Sequence, residues 1–110
     1  MKKLFFSGLL VILFLLFGLG QSAQAVNLTN GAKIFNANCS ACHIGGSNVI
    51  IASKTLKKEA LEKYQINSLE AIKTQVTKGR NAMPAFSGRL NEAQIEDVAA
   101  FVLEQAQRGW

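Results

Sequence analysis

The pattern of apolar and polar positions divides the chain into one long apolar run and a remainder in which apolar residues recur at helical spacing. From Leu4 to Leu19 only Ser7, Gly8 and Gly18 interrupt the run, with Met1-Lys2-Lys3 before it and Ala23-Gln24-Ala25 after it. That is the order of a secretory signal peptide: a basic start, an apolar middle and a small-x-small cleavage pattern. The spacing predicts a cleaved leader over residues 1–25 and one domain over residues 26–110. The apolar run is slightly longer than a typical leader's, so an uncleaved membrane anchor is the competing reading.

Beyond the leader, the pattern predicts helices joined by short turns, with no repeat, low-complexity tract or linker. Asn27 or Thr29 can cap a first helix that carries Gly31, Ile34 and Phe35 and runs directly into Cys39. Gly45-Gly46-Ser47-Asn48 reads as a turn cluster. Lys57 to Tyr64 reads as a short helix, with Leu56, Ala60 and Tyr64 four apart and i, i+4 charge pairs Lys58/Glu62 and Glu59/Lys63. Asn67 with Glu70 looks like a capping box for a third helix with inner face Leu69, Ile72 and Val76, and Lys78-Gly79 are its stop signals. Asn91 with Gln94 opens a last helix in the same way, and Ile95, Val98, Ala99 and Val102 follow i, i+3, i+4, i+7 spacing. The expected class is all-α, with about four helices of roughly 8 to 15 residues. Gly31 would let another helix approach the first closely, with Phe35 and Phe101 in contact; a merely flexible Gly31 fits the sequence nearly as well.

Composition changes this picture in two ways. The leader contributes much of the overall hydrophobicity, and without it the chain is one domain of 85 residues, too small to bury a generous core unaided. Its removal also leaves ten Lys and Arg against seven Asp and Glu, a net charge of +3. That excess falls short of the clustered basic face of a nucleic-acid binder, although it can bias encounters with an acidic protein surface.

The chemistry is concentrated in Cys39-Ser-Ala-Cys42-His43, which holds every cysteine and the only histidine of the chain. C-x-x-C-H is the spacing of covalent haem attachment: each thiol adds to one vinyl group, and the adjacent histidine reaches the iron. A structural zinc site would need a fourth Cys or His. A redox-active dithiol would need a βαβ context, and a disulfide across two residues closes too small a loop to stabilise much. One covalently held haem c could fill the core that the chain alone cannot. Val49-Ile50-Ile51 is then expected to pack on it rather than form a strand. Two propionates and the ferric core would bring the net charge to about +2 oxidised and +1 reduced.

Asn81-Ala82-Met83-Pro84-Ala85-Phe86 supplies a second half to this site. Met83 is the only methionine after Met1 and stands beside the only proline. Without the haem motif it would read as core filling; with it, Met83 in a rigid turn is the sixth iron ligand opposite His43. His/Met ligation raises the reduction potential and fills both axial positions, which points to an electron carrier rather than an enzyme. A haem-based ligand sensor would require a labile Met83, and a thiol oxidoreductase would require free cysteines.

The strings CSACHIGGSNVI, KTLKKEALEKY, NAMPAFSGRL, EDVAAFV and the terminal GW, spread over Val26 to Trp110, resemble the cytochrome c6 group of class I c-type cytochromes. The resemblance implies the small cytochrome c fold, with terminal helices crossing beside an edge-exposed haem. It implies one-electron shuttling in a thylakoid lumen, and possible residence in the periplasm, from cytochrome f of the cytochrome b6f complex to photosystem I. Donation to a respiratory terminal oxidase is the alternative, and a monomer not embedded in the membrane suits such a shuttle. The leader suits a cyanobacterium or an algal plastid. Two further residues follow from the resemblance: Gln75 matches a glutamine near haem associated with high potential, and Arg89 matches a basic position used in docking to photosystem I. An exposed helix residue and a solvated arginine remain the plainer readings of the two.

Overall fold

The computed structural model describes residues 25–110, so the predicted leader, apart from Ala25, lies outside the described residues. Five helices and one 3-10 turn follow in order: α1 Leu28–Asn38, α2 Ser40–His43, the turn Ile44–Gly46, α3 Lys58–Lys63, α4 Leu69–Lys78 and α5 Glu92–Arg108. No strand occurs among the described residues; Val49-Ile50-Ile51 lies in a loop, and pairing is confined to the isolated bridges Arg80 with Met83 and Ser87 with Leu90. The all-helical class holds, but the lengths spread beyond the expected range. Helix α2 is a single turn, α3 has 6 residues and α5 has 17.

Local chemistry explains most boundaries. Asn27, not Thr29, caps α1, its side chain accepting from the Asn30 N–H at 2.9 Å. Asn91 and Gln94 form a reciprocal capping box, with bonds of 2.8 and 2.9 Å, at the start of α5. The expected Asn67/Glu70 box does not form: Ser68 caps α4 by accepting from the Ala71 N–H at 3.1 Å. Gly79 ends α4 with φ +65°, the left-handed conformation that glycine takes without penalty. On α3 the buried side chain is Leu61, 1% exposed, while Tyr64 of the expected apolar row faces solvent.

The core is the interior seam of α5 against α1 and α4. Ile95, Val98, Ala99 and Val102 turn inward as their spacing predicts, and Ile34, Phe35, Ile72 and Val76 meet them from the other two helices. Gly31 is a close-approach residue rather than a flexible one. A Cβ there would run into the backbone carbonyl of Asp97 and stand 2.9 Å from the Phe101 Cβ. The helices therefore touch backbone to backbone, and the Phe35 and Phe101 rings meet just beyond, 5.4 Å apart and tilted by 53°. Asp97 fastens the same crossing by accepting from the Asn27 N–H and the Asn30 amide, both at 2.9 Å.

Candidate haem site

Between α1, α4, α5 and the loops that join them lies an open cleft of about 240 Å³ with mostly apolar walls. Cys39, Cys42, His43 and Met83 all line it, with Ile50, Ile51, Ile72 and Phe86 among its apolar residues. Four residues separated by as many as 44 positions are thus brought to one cavity.

The helix end that carries the cysteines is set by backbone bonding. Cys39 caps α1 with its N–H on the Phe35 carbonyl at 2.8 Å, and its own carbonyl accepts from Cys42 and His43 at 3.2 and 2.9 Å. This one-turn helix places both thiols and the imidazole at the same cleft wall. Burial pushes the Cys39 thiol up to about 11, which suppresses the thiolate that disulfide exchange requires. The His43 ring is held by its neighbour: Nδ1 lies 3.0 Å from the Ser47 carbonyl. A carbonyl can only accept, so Nδ1 carries the proton and Nε2 keeps a free lone pair for a metal.

Met83 reaches the cleft from a loop that is tied back on itself. Arg80 and Met83 exchange two backbone hydrogen bonds of 3.0 Å, and the Phe86 N–H donates to the Val76 carbonyl of α4 at 2.9 Å. Gly79 makes room for this loop; a Cβ there would stand 2.6 Å from the Met83 carbonyl oxygen. Asn81 takes φ +53°, and Pro84 stiffens the exit. Gln75 sits on the inner side of α4 with its amide 3.5 Å from the Met83 sulfur, and it lines the same cleft. Arg89 does not line it. Its exposed guanidinium lies 5.7 Å over the ring of Phe86, which does.

The charged residues of the cleft lining are Lys54 and Arg80, both cationic. Two organising residues were not singled out by sequence reasoning. Asn48 shapes the loop below the cleft, donating to the Lys54 carbonyl and accepting from the Ile50 and Ile51 N–H groups. Trp110, the last residue, donates its indole N–H to the Leu56 carbonyl at 2.9 Å. Both fall in strings that carry the family resemblance, CSACHIGGSNVI and the terminal GW, but neither string says what the side chain bonds to.

Comparisons with known proteins bear on family and fold. Residues 26–102 match a family profile described as cytochrome c oxidase, cbb3-type, subunit III. The chain is 56% identical to cytochrome c6 of Thermosynechococcus vestitus, over 100% of this chain and 98% of that one. It is 63% identical to cytochrome c6 of Parathermosynechococcus lividus, over 76% of this chain and 97% of the relative. The crystal structure of cytochrome c6 from the diatom Phaeodactylum tricornutum superposes with a TM-score of 0.75 at 53% identity, covering 76% of this chain and 99% of that one.

Proposed function

The chain belongs to the cytochrome c6 family of c-type cytochromes, and on that premise we propose that it carries single electrons from the cytochrome b6f complex, through cytochrome f, to photosystem I. Members of the family are electron carriers with one covalently bound haem c. The observation that supports the reading most directly is that Cys39, Cys42, His43 and Met83 line one apolar cleft.

The residues suit haem c by their chemistry. Cys39 and Cys42 would form the two thioethers, and His43 Nε2 and the Met83 sulfur would fill the axial positions. Lys54 and Arg80 at the same cleft suit a macrocycle that bears carboxylates. Haem c supplies a reversible one-electron iron couple. With His43 and Met83 both holding the iron, no position would be left for a substrate, which suits a carrier rather than an enzyme. The apolar walls and the Gln75 amide on the Met83 sulfur would both favour the less charged, reduced iron.

Docking would use the exposed apolar residues beside the motif, Ile44, Val49 and Ile50, which are 65%, 61% and 59% exposed. Arg89, held over Phe86, would steer the approach. A small apolar contact ringed by charge gives the weak, fast-exchanging interface that a shuttle needs. No helix among the described residues is long and apolar enough to cross a membrane. Cleavage after Ala25 would release the domain into the thylakoid lumen, or into the periplasm, as a monomer.

The test is flash kinetics with reduced mature protein and photosystem I particles. Fast reoxidation that rises with protein concentration is the expected result; negligible reoxidation would overturn the photosynthetic assignment. The family profile named for a cbb3-type oxidase subunit favours one second reading, donation to a terminal oxidase. Brisk turnover by an oxidase in a parallel assay, with no reaction at photosystem I, would select it.

A further inference from the structure

Trp110 is connected to the axial histidine by a chain of contacts that begins at the C-terminus. Its ring lies 5.3 Å from that of Phe35 and 6.1 Å from that of Phe101. Its indole N–H donates to the Leu56 carbonyl at 2.9 Å, 54 residues back in sequence. The Leu56 N–H donates in turn to the Gly46 carbonyl at 2.7 Å. Gly46 is buried at φ +79°, and a Cβ on it would overlap the indole ring. The residue after it, Ser47, offers its carbonyl to His43 Nδ1 at 3.0 Å.

We propose that Trp110 is a positioning residue for His43: it wedges the loop of residues 44–56 so that the Ser47 carbonyl stays beneath the imidazole Nδ1. The proposal rests on the haem reading above and deepens it by assigning the ligand's orientation to the last residue of the chain. The physical link is the strength of one hydrogen bond. An Nδ1–H held on a carbonyl makes the imidazole a stronger donor through Nε2, and that favours ferric iron. The Ile44–Ser47 turn has bonds of its own, since the Ser47 N–H and hydroxyl both donate to the Ile44 carbonyl. Those bonds fix the turn locally, whereas its height against α1 and α5 is set by what fills the space over Gly46. Trp110 fills it.

The experiment compares holoprotein carrying Trp110→Phe with wild type and with Asn91→Ala, a helix-cap variant remote from the loop. Phenylalanine keeps an aromatic ring against Phe35 but has no N–H for Leu56. In Trp110→Phe the His43 Nδ1–H, followed by NMR in the reduced protein, is expected to exchange about tenfold faster with solvent, and the reduction potential rises. Asn91→Ala loses stability with neither change. If Trp110→Phe loses stability while the exchange rate and potential stay at wild-type values, the residue is structural only and the proposal is overturned. Should Trp110→Phe fail to mature, wild-type protein decides alone. The Trp110 indole N–H and His43 Nδ1–H should then exchange with one common denaturant dependence, and a freely exchanging indole beside a protected imidazole would overturn the link. A wild-type protein without a covalent-haem spectrum would instead remove the functional reading itself.

Discussion

Met83, proposed above as an iron ligand, shows how surroundings can single out a residue of ordinary chemistry. A lone methionine is normally packing material, yet here a turn tied by paired backbone bonds brings the sulfur to the cleft that His43 lines. Met83→Ala removes the thioether without adding a new ligand. The reduced variant should bind carbon monoxide where wild type does not, and its potential should fall by on the order of 100 mV, well inside the range that axial ligands command. Unchanged titration and unchanged spectra would remove Met83 from the coordination sphere. Gln75→Leu deletes the N–H on the sulfur and should lower the potential by a smaller step in the same titration. The one tyrosine carries a pH prediction. Tyr64 is lowered from the ordinary value by the Ser53 hydroxyl, which can turn to donate to the phenolate, and by Lys63 and Lys54, whose ammonium groups each lie 5.5 Å from the ring centroid. The sign follows from an acid whose folded value is depressed: its contribution is present above the unfolded pKa and fades as pH falls through the folded one. Tyr64 is 37% exposed at the rim of the cleft, where solvent screens the charges around it, so the visible consequence is the titration and not stability. NMR of its ring should give a midpoint below about 10, and Lys63→Gln should move it upward.

At the scale of helices, stability concentrates where two backbones or two elements have no slack. Gly31 has its missing Cβ space taken by the Asp97 carbonyl, so Gly31→Ala must push α1 and α5 apart. A loss of roughly 1–3 kcal/mol is expected, as for overpacked cores, seen as a drop in Tm of several degrees for a domain this size. Helix α3 has only 6 residues, too few to persist by propensity, and Leu61 is its fully buried anchor. Leu61→Ala should cost about 2–5 kcal/mol and raise amide exchange in α3 before the other helices. These elements also show what a sequence can and cannot reveal. The inner face of α5 was legible because four apolar residues repeat at helical spacing over a long segment, and its Asn91/Gln94 box is unambiguous. The start of α4 was misread by one residue because Asn67 and Ser68 are both good caps; burial of Ile72 and Val76 decides the register, and that is a tertiary fact. Helix α3 has one apolar row, Leu56-Ala60-Tyr64, and a lone Leu61 beside it, and a helix of under two turns gives periodicity too little length to show that Leu61 is the residue buried. The candidate ligands stood out for being nearly unique in type. Asn48 and Trp110 did not, since their importance lies in partners that local spacing cannot point to.

Over the whole molecule, charge is segregated along the chain in a way the modest net value hides. Residues 54–90 carry eight Lys and Arg against three Glu, whereas residues 91–110 carry four Asp and Glu against Arg108 alone. The basic segment supplies much of the cleft wall, including Lys54 and Arg80, and Arg89 beside it. Helix α5, by contrast, turns its apolar side inward and carries Glu92 exposed and Glu96 and Glu104 half-buried, while Asp97 is taken up by the crossing with α1. The segment that lines the site through which an electron would pass is therefore rich in cations and α5 is rich in acids, a charge dipole along the chain. Such a dipole orients an incoming molecule before contact, and its reach is set by the Debye length, about 30 Å at 0.01 M salt and about 8 Å at 0.15 M. If the acceptor presents acidic groups at its docking site, the second-order rate of reoxidation should fall severalfold between those two salt concentrations, because long-range steering is lost while the apolar contact is untouched. Arg89→Glu should lower the low-salt rate by several-fold and flatten the salt dependence. A rate that rises with salt in wild type would show that the cationic segment hinders docking. A flat profile in both proteins would leave the exposed Ile44, Val49 and Ile50 as the surface on which recognition depends.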